Sequence, residues 1–205
     1  MGRGIAQIAA QAGSTVQLFD LNPEACRQAH AAIAAQWDKL QDKGRIDAAT
    51  ADAYKTRLQT AASLGDLHNC DLVVEAAVER LDIKQSLFAQ LEDIVRPDAV
   101  LVTNTSSLSV TAIAAGLKRP AQFAGYHFFN PVPLMKVVEI IAGLKTDAAV
   151  CAGLTEYARQ MGHTPVQAQD TPGFIVNHAG RAYGTEALRI VSEGVTDFAT
   201  IDRIL

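Results

Sequence analysis

Short apolar, β-branched segments alternate along most of the chain with longer segments whose apolar residues recur at helical spacing. The predicted strands are residues 15–19, 72–75, 99–103, 123–129, 136–141 and 165–168. The predicted helices are residues 5–12, 24–40, 47–58, 81–95, 110–115 and 146–161. Such alternation is typical of an α/β fold, a doubly wound sheet with helices on both faces.

The first residues match the end of a dinucleotide-binding fingerprint, in which a glycine-rich turn opens a helix and an acidic residue follows the next strand. Gly2 stands where the third glycine would let the helix pack close to a strand, and Asp20 ends the strand at residues 15–19. A carboxylate there accepts hydrogen bonds from ribose hydroxyls and repels a 2′-phosphate, which favours NAD over NADP. Taken alone, the pattern favours a capping or surface role for Asp20, because a helix, a glycine and a strand that ends in Asp often occur together by chance.

Near Thr171 the pattern changes from alternating elements to helices only. Residues 1–170 are predicted to form a Rossmann-type NAD-binding domain whose first strand is missing, which leaves two buried sheet edges without main-chain partners. Residues 171–205 are predicted to begin an all-α C-terminal domain for substrate binding and dimerisation, also truncated. We expect these 205 residues alone to bind NAD weakly and turn over little substrate, because amides that hold the pyrophosphate would be absent.

Composition limits the partners. The net charge is −4 and no basic stripe runs along the chain, so no nucleic-acid partner is expected. No apolar segment approaches the roughly 20 residues that span a bilayer, and no signal-peptide pattern opens the chain, so we predict a cytoplasmic location without membrane contact. The three cysteines are far apart and form no cluster with histidines, so no metal site is expected.

Polar residues follow three successive predicted strands, at the sheet edge where ligands bind in such folds. Glu79 follows the strand at residues 72–75, and Asn104 and Ser106 follow the strand at residues 99–103. His127 lies near the end of the strand at residues 123–129. We therefore expect these side chains to face one crevice.

His127 and Glu139 lie equally far on either side of Pro133, in a proline-rich turn between two apolar strands. If the strands fold back antiparallel, the two side chains become cross-strand neighbours on one face, with Cβ atoms about 5 Å apart. A carboxylate fixes the tautomer of an imidazole and stabilises its protonated form, which is the arrangement a general base needs. The other four histidines lack such companions and are predicted to be surface or capping residues.

The segments LVVEAAVE, TNTSSL, GYHFFNPVPLMKVVEI and DTPGFIVN resemble those of the 3-hydroxyacyl-CoA dehydrogenase family, and MGRGIA with LFD resembles its N-terminal part. The resemblance implies NAD-dependent oxidation of an L-3-hydroxyacyl-CoA to the 3-ketoacyl-CoA, and the reverse, in fatty acid β-oxidation. It also implies that the full-length protein is a homodimer.

The resemblance further implies roles for individual residues. His127 would take the hydroxyl proton, Glu139 would orient it, and Asn130 would support it. Ser106 and Asn177 would hydrogen-bond the substrate oxygen. The remaining implied positions are Glu79, Lys84 and Asn104 near the cofactor, with Gly2 and Asp20. Lys39 and Lys43, on a predicted helical hairpin, are candidates for the CoA phosphates, although a solvated helix face explains them as well.

Two other functions stay open. One is a Rossmann dehydrogenase that acts on a free β-hydroxy acid, although such enzymes commonly use a catalytic lysine instead of a His/Glu pair. The other is a non-catalytic nucleotide-binding protein, which only the incomplete glycine loop suggests.

Overall fold

The computed structural model describes residues 1–204. Its strands are β1 (Val16–Leu18), β2 (Leu58–Thr60), β3 (Leu72–Glu75), β4 (Val100–Thr103), β5 (Phe123–Phe128), β6 (Val137–Ala142) and β7 (Thr164–Gln169). Its α-helices are α1 (Gly2–Gln11), α2 (Pro23–Asp42), α3 (Ala48–Arg57), α4 (Leu81–Ile94), α5 (Val110–Ala114), α6 (Ala148–Gln160), α7 (Val176–Ser192) and α8 (Phe198–Ile204). Short 3₁₀ helices cover Leu64–Asn69 and Pro120–Gln122. No helix within residues 1–204 is long and apolar enough to cross a membrane.

The strands form two sheets. β1 pairs with β2 in parallel, and the larger sheet has the order β3-β4-β5-β6-β7, parallel except for the antiparallel pair β5–β6. The predicted α/β alternation and the helical pattern after Pro172 are confirmed. Strand β2 was not predicted, because its three residues directly follow α3 and are too few to establish a strand period.

An open groove of about 1860 Å³ separates the two sheets, with β1 and β3 on opposite sides of it. Within residues 1–204, β1 is paired only with β2 and β3 only with β4, so both strands turn an unpaired edge to the groove. Its walls include apolar side chains of α1 and of both strands, among them Ile5, Val16 and Leu72. This geometry agrees with the expectation of two sheet edges without main-chain partners.

Two apolar clusters cover the opposite faces of the larger sheet. Because neighbouring strand residues point to opposite faces, Val102 packs into the cluster that includes Leu154 of α6, while Leu101 packs into the cluster that includes Phe88 of α4. All six residues of β5 are buried. This central, buried strand carries His127 and sets its position.

His163 is buried, with 4% of its surface exposed, so the prediction of a surface or capping role is wrong for this residue. Its Nδ1 lies 3.2 Å from the carbonyl oxygen of Met161, and its Nε2 lies 3.1 Å from that of Val132. The second contact joins residues 31 positions apart, which no local pattern reveals.

Candidate active site

His127 and Glu139 are register partners on the antiparallel strands β5 and β6, as the turn between them predicts. Nδ1 of His127 lies 2.7 Å from Oε2 of Glu139. His127 is 5% exposed and Glu139 is fully buried. In this arrangement Nδ1–H donates to the carboxylate, which leaves Nε2 as the basic nitrogen.

The second oxygen of Glu139 holds the start of helix α7. Oε1 accepts hydrogen bonds from the backbone amides of Ile175, at 2.9 Å, and Val176, at 2.8 Å. Helix α7 has no capping hydrogen bond from its own N-cap side chain, so this carboxylate takes that place and meets the positive end of the helix. The sequence did not reveal this contact, because the partners are backbone groups 36 and 37 residues away.

Ser106 and Asn177 meet, although they lie 71 residues apart. Nδ2 of Asn177 donates to the carbonyl oxygen of Ser106 at 3.2 Å. The loop around Ser106 wraps Glu79, whose Oε1 accepts from the amide of Ser106 at 2.8 Å and from the hydroxyl of Thr105 at 2.5 Å. Glu79 thus anchors the loop that carries the serine.

The pKa of Glu79 lies below its usual value. Burial raises this pKa, but hydrogen bonds from Thr105 and Ser106 and the charge of Lys84 lower it by more. Glu79 is therefore ionised around neutral pH, as its role of acceptor requires.

Lys84 is almost completely buried and reaches the crevice only through Glu79. Its Nζ lies 2.7 Å from Oε1 of Glu75 and 3.3 Å from Oε2 of Glu79. Only 1% of the Lys84 side chain is exposed, and the expectation that it lies near the cofactor stays a prediction. Sequence reasoning missed Glu75, which also accepts from the hydroxyl of Thr103 at 2.7 Å.

Asn104 joins the ends of two strands, since its Oδ1 accepts from the amide of Phe128 at 2.8 Å. Asn130 is exposed in the turn after β5, and within residues 1–204 it makes no side-chain hydrogen bond to His127. Its expected support of the histidine is not reflected in this geometry, because the side chain lies beyond the strand end.

The close approach near the start of α1 occurs at Gly4. A Cβ on Gly4 would come 2.9 Å from the Cβ of Val132, whereas a Cβ on Gly2 would lie 3.7 Å from that of Ala76, an ordinary contact. Within residues 1–204 the tight contact therefore falls on Gly4, against the turn after β5, and the expected packing of Gly2 against a strand stays a prediction.

Asp170, at the end of β7, is a further residue that the sequence reasoning missed. Its carboxylate accepts from the amides of Val110, at 2.9 Å, and Thr111, at 2.8 Å, and from the hydroxyl of Ser109, at 2.8 Å. Burial raises the pKa of Asp170, but these hydrogen bonds lower it by more. Asp170 thus fastens the start of α5, just after the Ser106 loop, to the segment that leads into α7.

Comparisons with known proteins identify the family. A family model described as 3-hydroxyacyl-CoA dehydrogenase, NAD binding domain, matches residues 1–171. The chain belongs to the 3-hydroxyacyl-CoA dehydrogenase family. It is 44% identical over 205 residues to the 3-hydroxyadipyl-CoA dehydrogenase of Escherichia coli, with all of this chain and 43% of that protein covered. It is 43% identical over 208 residues to a probable 3-hydroxybutyryl-CoA dehydrogenase of Deinococcus radiodurans, covering 73% of it.

Two further comparisons extend the family relationship. The fatty acid oxidation complex subunit alpha of Pseudomonas aeruginosa is 38% identical over 205 residues, all of this chain but 28% of that protein. The crystal structure of (S)-3-hydroxybutyryl-CoA dehydrogenase from Ralstonia eutropha superposes with a TM-score of 0.93 at 35% identity, covering 98% of this chain and 71% of that one. The chain thus spans less than half of the E. coli and P. aeruginosa relatives.

The residues present fit the NAD of this family. Asp20 is exposed beyond the end of β1, and its Oδ1 accepts from the amide of Asn22 at 2.8 Å. Within residues 1–204 its other oxygen has no hydrogen-bond partner, so it can accept from a ribose hydroxyl. Helix α1 begins at Gly2 without a capping side chain, so its first amides can meet a phosphate.

The two lysines expected to meet CoA lie in solvent. Lys39 is in the last turn of α2, and Lys43 is its C-cap residue. Within residues 1–204 neither makes a salt bridge, whereas Lys55 on the neighbouring helix pairs with Asp38. The described residues also contain no group of three His, Cys, Asp or Glu that could hold a metal ion.

Proposed function

We propose that the protein containing this chain is an NAD-dependent L-3-hydroxyacyl-CoA dehydrogenase that interconverts its substrate with the 3-ketoacyl-CoA. The observation that carries the proposal is the buried His127–Glu139 pair. Within residues 1–204, Nε2 of His127 has no protein partner. The relatives named for 3-hydroxyadipyl-CoA, 3-hydroxybutyryl-CoA and fatty acid oxidation support the same substrate class.

In the oxidative direction, Nε2 of His127 accepts the proton of the 3-hydroxyl group, and Glu139 stabilises the imidazolium that forms. NAD, when bound, would supply the hydride acceptor for C3 of the substrate. Asn177 offers its second amide N–H to the substrate oxygen, and Ser106 offers its hydroxyl by turning it from the 3.4 Å contact with Glu79. Since both donors are neutral, they hold this oxygen as alcohol and as ketone. In reduction, His127 returns the proton.

The remaining parts of the proposal concern binding and assembly. Asp20, Gly2, Asn104 and Glu79 lie at strand ends or at the start of α1, where a dinucleotide binds in a doubly wound sheet. Lys39 and Lys43 are available for CoA phosphates. We further propose a boundary near Thr171 between the NAD-binding and helical domains. We also propose a homodimeric, cytoplasmic protein without nucleic-acid or membrane partners.

The test is His127→Gln in the whole protein, followed by NADH oxidation with acetoacetyl-CoA. Removal of a general acid–base should lower kcat by roughly 10²–10⁴-fold. NADH affinity should be unchanged, because His127 is not proposed to bind the cofactor. The exposed His68 provides a matched control, and His68→Gln should leave kcat unchanged. Wild-type turnover in His127→Gln would contradict the proposed role.

Acetoacetate tests the alternative of a free-acid dehydrogenase. The proposal predicts turnover of acetoacetyl-CoA but negligible turnover of acetoacetate by the same wild-type protein. Faster turnover of the free acid would favour the alternative, and no NADH oxidation with either substrate would favour a non-catalytic protein.

A further inference from the structure

Phe174 has an unusual backbone conformation for its residue type. Its φ is +50°, and within residues 1–204 it is the only residue other than glycine with a positive φ. Its neighbour Gly173, at φ +77°, adopts the same region without a Cβ. A bulky side chain in this region is rare and costly, and such residues concentrate at functional sites. The ring is nevertheless buried, with 5% exposed.

The ring of Phe174 lies beside the proposed base. Its centroid is 5.7 Å from that of His127, in an edge-on arrangement with an interplanar angle of 60°. Phe129 lies on the same imidazole at 4.5 Å. Two aromatic rings therefore limit the space in which the imidazole can rotate, and Phe174 supplies one of them from outside strands β5 and β6.

The backbone of Phe174 reaches the other member of the pair. The next two amides, of Ile175 and Val176, both point at Oε1 of Glu139. The direction of the first of these N–H groups depends on the peptide plane that Phe174 shares with Ile175. Asn177 follows and contacts the loop at Ser106. Two consecutive left-handed residues, Gly173 and Phe174, thus precede these three contacts, and Phe174 is the one that carries a side chain.

We propose that Phe174 is a positioning residue for the His127–Glu139 pair, an inference that rests on the proposed function. Its ring keeps the imidazole in place, and its left-handed backbone turns the amides of Ile175 and Val176 towards Glu139. It does not touch the reacting atoms. Removing the ring of Phe174 should therefore slow the chemical step more than it weakens substrate or cofactor binding.

The kinetic test compares Phe174→Ala and Phe174→Leu in the whole protein. Phe174→Ala should lower kcat by up to about 100-fold, because small misplacements of catalytic groups cost this much. The KM for acetoacetyl-CoA and the Kd for NADH should change by less than about threefold, since uniform binding is not lost. Phe174→Leu should recover most of kcat, because it refills the space beside His127.

The matched control is Gly162→Ala. Gly162 also has a left-handed backbone, at φ +73°, and no atom lies within 4 Å of an added Cβ. The variant therefore places a Cβ on a left-handed backbone, as Phe174 does in the wild-type protein, but outside the segment that contacts His127 and Glu139. It should lower the unfolding midpoint while kcat stays at the wild-type value.

A double variant tests whether Phe174 acts through Glu139. The kcat losses of Phe174→Ala and Glu139→Gln should be strongly non-additive, because both disturb one arrangement. A double variant whose fold-loss in kcat equals the product of the two single losses would overturn the inference. A wild-type kcat in Phe174→Ala would also overturn it.

Hydrogen exchange separates this inference from the proposed function. The amides of Ile175 and Val176 should exchange faster in Phe174→Ala and at the wild-type rate in Gly162→Ala, whether or not the protein oxidises its substrate. An inactive wild-type protein would sink the proposed function alone, whereas unchanged exchange in Phe174→Ala would sink the role of Phe174.

Discussion

Replacing Lys84 with Met isolates the energetic role of the buried ion pair at the end of β3. The side chains of Lys84 and Glu75 are each 1% exposed. Met fills similar space without charge, so the Glu75 carboxylate would stay buried with only Thr103 and the amide of Ala77 as partners. Breaking a buried pair in this way costs about 3–5 kcal/mol. At about 2–4 °C per kcal/mol for a chain of this size, the midpoint of thermal unfolding falls by roughly 6–20 °C.

Urea unfolding followed by circular dichroism measures this loss. The double variant Lys84→Met with Glu75→Gln should be more stable than Lys84→Met alone, because no uncompensated charge remains. As a control, Arg159→Met removes an exposed pair with Glu156, both 62% exposed, and should change the free energy of unfolding by less than about 1 kcal/mol. A loss below about 1 kcal/mol in Lys84→Met, or a double variant no more stable than it, would refute the reasoning.

Three further predictions concern other residues around the site. Asp170 has a lowered pKa in the folded protein. Its ionised carboxylate therefore stabilises the fold when the pH is above the ordinary pKa of about 3.9, and this stabilisation is lost as the pH falls through the folded-state pKa. Asp170→Asn should therefore be less stable at pH 7, with a difference that shrinks below about pH 4 in thermal unfolding at several pH values; a constant difference would contradict this. Gly4→Ala should cost about 1–3 kcal/mol in urea unfolding, because its Cβ would meet Val132, whereas Gly2→Ala should be tolerated; equal losses would argue against the close approach. Asp20→Ala should weaken NADH binding by about tenfold or more in calorimetry, and an unchanged Kd would exclude the ribose contact.

Strand β3 and helix α4 show how far local pattern predicts this fold. β3 occupies the predicted residues, and α4 ends one residue before the predicted position. Both carry enough apolar residues in sequence to define a period. Strand β2 does not, since its three residues gain their structure from β1, whose Gln17 lies 42 residues before its partner Gln59. Contacts of that separation leave no local pattern.

The same distinction holds at the site. His127 and Glu139 lie 12 residues apart within one reversal, so the register of the turn fixes their contact and the sequence predicts it. Asp170 acts on amides about 60 residues away, and Glu75 on a hydroxyl 28 residues away. A carboxylate that binds backbone amides needs no particular partner residue. The sequence therefore does not indicate which helix start it will hold.

Glu139 explains why the site depends on both predicted units of the chain. One of its oxygens orients His127 on strand β5, and the other holds the first amides of α7, beyond the proposed boundary near Thr171. A buried carboxylate with both oxygens engaged cannot move towards one partner without weakening its bonds to the other. Any shift of α7 therefore reaches the histidine directly, and it also moves Asn177 relative to Ser106. One set of hydrogen bonds thus links His127 and Glu139 to the start of α7, and through Asn177 to the loop at Ser106.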